Sequence, residues 1–193
     1  MMKQSTSHKL RQRVSKEDWL NTALNQLKNG GVESIRVELL AKSLNISKSG
    51  FYYHFRDRDH LLRSLLDYWT ELDEMPASEV DQNPSLGPRE KLKLVYDVVE
   101  RSDLSRLDSA IRQWARQDER VHQVWRKAMQ ARIKSVKRIF LTAGFSDEEA
   151  LMRTRTAIAY KASESELSAD LESKDRSRLE DQQLDMLFSR SDD

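Results

Sequence analysis

Ser47, Lys48, Ser49 and Gly50 lead directly into the aromatic run Phe51, Tyr52, Tyr53, His54, Phe55. Two hydroxyls and an ammonium at the opening of a short helix are the groups that read base edges in a DNA major groove. Lys48 is suited to donate to guanine O6 or N7, and Ser49 suits either kind of partner. The reading depends on how the helix is mounted. Leu40, Ala41 and Leu44 share one face at helical spacing, while Ile46, Phe51 and Phe55 form a second apolar set. The two sets can bury each other only if the chain reverses near Asn45. Asparagine tolerates the left-handed backbone better than most residues, so Asn45 is expected to end the first helix, with Ser47 as the N-cap of the next. Two short helices around a tight turn make a helix-turn-helix. Gly50 inside the second helix carries a penalty of about 1 kcal/mol relative to alanine. Its presence implies close approach of the backbone to DNA or to a neighbouring helix.

The flanking sequence supplies the frame. Ser15 with Asp18 three residues later predicts a capped helix start, Trp19, Leu20, Ala23, Leu24 and Leu27 its buried stripe, and Gly30-Gly31 its end. Asp57 is expected to cap a long fourth helix carrying Leu61, Leu62, Leu65, Tyr68, Trp69 and Leu72, and Met75 to Pro88, which holds all three prolines, to be a linker. Beyond it the pattern is helical throughout, with helices around Leu92 to Val99, Leu104 to Ala115 and Val121 to Phe140, then Asp147 to Leu171 and Lys174 to Phe188. The organisation read from this is a basic arm over 1–14, a helix-turn-helix domain over 15–72 and a helical domain over 73–193. The fold class is all-α.

Composition narrows the functional classes. Hydrophobic residues make up 38% and charged residues 34% of 193, with 5 Gly and 3 Pro, too few turn residues for a β-sandwich or barrel. There is no cysteine, and no apolar run approaches the ~20 residues of a membrane span. A cytoplasmic protein without membrane partners is expected. The net charge of +1 hides an asymmetry: Met1 to Arg56 holds a surplus of six positive charges, and the remainder a deficit of five. That layout suits a chain of which one end meets a polyanion. His8, His54, His60 and His122 have no partner at metal-ligand spacing, and neither a nucleotide-binding glycine motif nor a nucleophile elbow is present. No enzyme activity, cofactor or metal is therefore expected.

Over roughly Gln12 to Leu72 the chain resembles the DNA-binding domain of TetR-type transcriptional repressors. The resemblance lies in Gly30-Gly31, Leu40-Ala41, Asn45-Ile46-Ser47-Lys48, the Tyr52 to Phe55 ending, and Arg58-Asp59-His60-Leu61-Leu62. It implies that Tyr52, His54 and Arg58 touch phosphate and that Tyr53 lies nearer the groove. Arg36 stands where the family carries a hydroxyl, and is expected to supply the phosphate contact there. Together with Ser47, Lys48, Ser49 and Gly50, these make up the expected DNA-binding set. The resemblance further implies a homodimer on double-stranded, near-palindromic operator DNA, dimerised through the last two helices, with a C-terminal bundle that binds a small-molecule effector. Tyr96, Trp114, Trp125, Met129 and Tyr160 are the candidates for lining an effector cavity, against ordinary core packing as the alternative. The basic run Arg126, Lys127, Arg132, Lys134, Lys137 and Arg138 is expected to complement Glu148, Glu149, Glu164, Glu166, Asp170 and Glu172 on neighbouring helices. The alternative function is an all-helical interaction or effector-sensing adaptor that does not read DNA sequence.

Overall fold

The computed structural model describes residues 14–190; Lys3, Lys9, Arg11 and Arg13 of the expected arm lie outside them. The chain is all-α, with nine α-helices and one 3₁₀ turn among the described residues. Helix α1 (Lys16–Gly30) opens on a reciprocal box: Ser15 Oγ accepts from the Asp18 N–H at 3.1 Å and Asp18 Oδ2 accepts from the Ser15 N–H at 2.7 Å. It ends at Gly31, whose φ of 69° lies in the left-handed region that side chains avoid. A 3₁₀ turn (Val32–Ser34) leads to α2 (Val37–Ser43), then α3 (Ser49–His54) and α4 (Arg58–Gln82). Asp57 caps α4 as expected, its Oδ1 accepting from the His60 N–H at 2.7 Å.

Helix α4 differs from the expectation at its far end. It runs through Pro76 to Gln82, so the anticipated linker shrinks to residues 83–87. A proline inside a helix removes one backbone bond and crowds the preceding turn, at a cost of about 3 kcal/mol. Packing offsets it here: Leu65, Trp69, Pro76 and Val80 lie on one buried face, and α4 packs along α5 (Pro88–Arg101) and α7 (Glu119–Thr142). The 72/73 position therefore falls in the middle of a continuous helix.

The remaining helices are α6 (Leu104–Ala115), α8 (Asp147–Leu167) and α9 (Ser173–Phe188). One apolar core joins Trp19, Leu27, Phe51 and Phe55 of the head to Leu107, Ile111, Trp114 and Ala128 of the body. A second gathers Leu92, Tyr96, Phe140, Ala157 and Leu184 from α5, α7, α8 and α9. The head is thus seated on α6 by a shared core, and Lys28 at the end of α1 adds an ion pair of 2.7 Å to Asp103. No helix among the described residues is long and apolar enough to cross a membrane.

The basic run on α7 finds other partners than expected. Arg132 pairs with Asp73 of α4 and Asp108 of α6, Arg138 with Asp81 of α4, and Lys137 with Asp147 at the start of α8. Helix α7 packs on α4 and α6 as well as α8, and the acids facing it come from those three helices. Glu164 instead pairs with Lys161 on its own helix.

Candidate nucleic-acid interface

The turn between α2 and α3 forms as the sequence requires. Asn45 takes φ 53°, and the chain doubles back through two bonds, Asn45 N–H to the Lys42 carbonyl at 3.1 Å and Ile46 N–H to the Ala41 carbonyl at 3.0 Å. That pair is the Schellman ending of a helix at a left-handed residue. Ser47 departs from its expected role. Helix α3 begins at Ser49, the Ser47 carbonyl accepts from Gly50 N–H at 3.1 Å, and its hydroxyl lies 2.7 Å from that of Ser49. No side chain caps α3, because the chain enters it through a tight turn already helical at Lys48.

Packing then divides the short helix into an inner and an outer face. Phe51 and Phe55 are fully buried, their rings 5.3 Å apart, and Phe51 meets Trp19 edge-on at 5.5 Å. On the outer face Tyr52 and Tyr53 are 64% and 67% exposed, beside exposed Ser47, Lys48 and Ser49. Gly50 lies between the faces. A β-carbon there would stand 3.2 Å from Ile46 Cδ1 and 3.8 Å from Trp19, so the close neighbour is the head's own core. Arg36 sits exposed at the opening of α2 in extended conformation.

His54 and Arg58 of the expected set are bound to backbone carbonyls of the chain itself. His54 donates from Nε2 to the Val14 carbonyl at 3.0 Å, which fixes its tautomer and ties the end of α3 to the entry of α1. Arg58 donates from Nε to the Ile35 carbonyl at 2.8 Å and from Nη2 to the Val32 carbonyl at 2.7 Å. Its guanidinium thus fastens the start of α4 to the 3₁₀ turn that precedes α2 and to the residue after it. Loss of both charge-assisted bonds in Arg58→Ala is expected to lower head stability by about 1–2 kcal/mol, with Arg58→Lys restoring only part, read by thermal melting.

One acid enters this surface. Glu38 on α2 accepts from Lys48 Nζ at 2.7 Å, and the Lys48 ammonium, aided by Arg36, holds its carboxyl below the usual carboxylate range.

Residues 20–65 match the family described as bacterial regulatory proteins, tetR family. Over this stretch the head is similar to the TetR family. The rest of the fold agrees: a TetR transcriptional regulator of Legionella pneumophila superposes with a TM-score of 0.70 at 18% identity, over 93% of this chain and 96% of that one. A TetR-family transcriptional regulator of Streptomyces coelicolor gives 0.70 at 13%, over 90% and 93%, and the regulatory protein TetR of Rhodobacter sphaeroides 0.68 at 15%, over 87% and 96%. Among curated proteins none matches the chain.

In the body of this TetR-type fold, the five candidate ligand residues are not brought together. Tyr96 and Tyr160 stack at 6.2 Å in the second core, and the Tyr96 hydroxyl donates to the Gln183 side chain at 3.1 Å. Burial pushes that phenol above its ordinary range. Trp114 belongs to the first core, with Trp125 packed against it. The two apolar-lined cavities beside Arg132 measure about 50 and 90 Å³, against the ~300 Å³ of a typical small ligand pocket. Tyr96 lines the smaller, Asp73 and Pro76 the larger, and Arg132 walls both.

Spacing alone does not distinguish Arg132 from the rest of the basic run. Its guanidinium reaches Asp73 and, at 2.5 Å, Asp108, whose other oxygen accepts from Trp69 Nε1 at 3.2 Å. Burial works against its charge, but Asp108 and Asp73 outweigh it and raise its pKa. Burial raises the Asp73 carboxyl, and Arg132 opposes that. One side chain therefore links α4, which carries the head, to α6 and α7 of the body.

Proposed function

We propose that this TetR-type regulator is a homodimeric repressor that binds a near-palindromic operator and is released by a small-molecule effector. The division of α3 into a buried phenylalanine face and an exposed Lys48, Ser49, Tyr52 and Tyr53 face supports the reading most directly. Lys48 and Ser49 would address base edges with Tyr53 beside them, while Tyr52 and Arg36 take phosphate. His54 and Arg58 serve by fixing the angle of α3 and the position of α2.

Dimerisation would join α8 and α9 of two copies, on whose outer faces Met152, Leu179 and Met186 stand exposed. Two heads on one such dimer reach successive major grooves about 34 Å apart. An effector that opened the small cavities beside Arg132 would act on α4 through Asp73 and so change that separation. Release requires only that the effector prefer the altered shape.

Titration against duplex fragments from upstream of the protein's own gene, over a salt series, tests the first part. The expected result is one preferred fragment, with log affinity falling linearly as log salt rises. Equal binding to all fragments at every salt concentration, or a monomer in light scattering, overturns the proposal.

A further inference from the structure

Among the described residues Glu38 is the acid paired with Lys48, the side chain best able to contact bases, and the pair has a consequence for DNA selection. Both partners are more than half exposed, at 60% and 56%, so neither is needed to complete a core. The pair spans α2 and α3, ten residues apart in sequence, and Arg36 contributes a second positive charge to the same carboxylate. Glu38 is ionised at neutral pH, so two cations of the outer face share one anion.

We infer that Glu38 is a specificity-determining residue of the head: it restrains Lys48 from binding duplex phosphate indiscriminately while leaving it able to contact guanine. The inference rests on the DNA-binding reading above. Its basis is the difference between the two kinds of acceptor. A phosphate carries a full negative charge, so bringing one to Lys48 places two anions at one ammonium, and the carboxylate repels the duplex at close range. Exchanging Glu38 for phosphate gains little, since one anion replaces another. Guanine O6 and N7 carry no net charge. An ammonium has three donors, so Lys48 can keep its bond to Glu38 and direct another to guanine. The carboxylate thus penalises contact with the backbone, which every sequence offers, more than contact with one base edge.

The test compares wild type, Glu38→Gln and Glu38→Gln/Lys48→Ala on two labelled probes across a salt series. One probe is a short duplex of randomised sequence, and the other is the duplex that wild type enriches most from such a pool. Glutamine keeps the size and a hydrogen bond while removing the charge, and a thermal melt confirms that the fold is retained. Glu38→Gln is expected to bind the randomised duplex several-fold more tightly at low salt, with a log–log salt slope steeper by up to about 0.9, the contribution of one further phosphate contact. Affinity for the enriched duplex is expected to rise less, so the ratio between the probes falls. Adding Lys48→Ala is expected to abolish the gain. Unchanged or weaker binding of the randomised duplex by Glu38→Gln, while wild type binds normally, overturns the role of Glu38 alone. Failure of wild type to bind any duplex at low salt overturns the DNA-binding reading, and this inference with it.

Discussion

Arg132→Met is expected to destabilise the folded protein by about 3–5 kcal/mol, because it leaves two buried carboxylates facing each other with no cation between them. Asp73 and Asp108 have side-chain exposures of only 7% and 18%, so bulk water solvates them poorly in place of the guanidinium. Burial already raises the Asp73 carboxyl against the pull of Arg132. Without Arg132 the upward push of burial on the Asp73 carboxyl loses its main opponent, so the defect is expected to lessen on acidification. Urea unfolding at several pH values reads both effects. A variant that also carries Asp73→Asn and Asp108→Asn is expected to recover most of the loss, since neutral amides need no counter-ion. If Arg132→Met melts like wild type near neutral pH, the cluster is not a buried charge network and the coupling of α4 to α6 and α7 must be carried by apolar packing.

The Arg132 cluster is legible in the sequence in a way that a search for motifs does not reach. Asp73 falls on the stripe of Leu65, Trp69, Pro76 and Val80, Asp108 between Leu104 and Ile111, and Arg132 between Ala128 and Val136. Each is a charge at an i, i+4 position on the buried face of its own helix. Such a residue must meet an opposite charge, so three of them on three helices imply one meeting place. Local charge density along the basic run of α7 points Arg132 toward the acids of α8 and beyond, because it ignores which side chains face inward. Charge density along a helix says nothing about which neighbour packs against which face.

The head was more legible because its determinants are local. The Ser15 box, Gly31, Asn45 and Asp57 are decided within a few residues by backbone conformation and nearby hydrogen bonds, and each is found as expected. What the pattern could not supply was the destination of long polar side chains. Arg58 and His54 find carbonyls 26 and 40 residues away in sequence, and Lys48 finds a carboxylate on the previous helix. Local rules fail in the backbone at Ser47, which caps no helix, and at Pro76, where burial against α5 and α7 overrides the proline stop signal.

Lys161→Met is expected to cost a similar 3–5 kcal/mol near neutral pH, and here the dependence on pH is the more telling result. Lys161 on α8 lies 2.6 Å from Glu164 on the same helix and 2.6 Å from Glu180 on α9, with all three side chains at or below 11% exposure. Burial opposes the Lys161 ammonium, but the two glutamates outweigh it, so its pKa is raised. Its contribution to stability is therefore complete below the unfolded value and is lost only as pH rises through the folded one. Glu180 has the opposite sign. Burial raises its carboxyl despite Lys161, so the folded state binds this proton more tightly than the unfolded chain, and ionisation of Glu180 weakens the fold as pH rises. With Lys161 gone that penalty grows, because only the weaker pull of Lys93 still opposes the burial of the Glu180 carboxylate. The stability gap between Lys161→Met and wild type is thus expected to be widest near neutral pH and to narrow as pH falls toward about 5, while Lys161→Met/Glu180→Gln lies between the two and varies less with pH. Chemical denaturation across that range measures it. Since the pair joins α8 to α9, the helices proposed to form the dimer face, light scattering of the same variants shows whether that face depends on the buried charges. A gap that stays constant with pH would mean that Lys161 acts through its packing, not its charge.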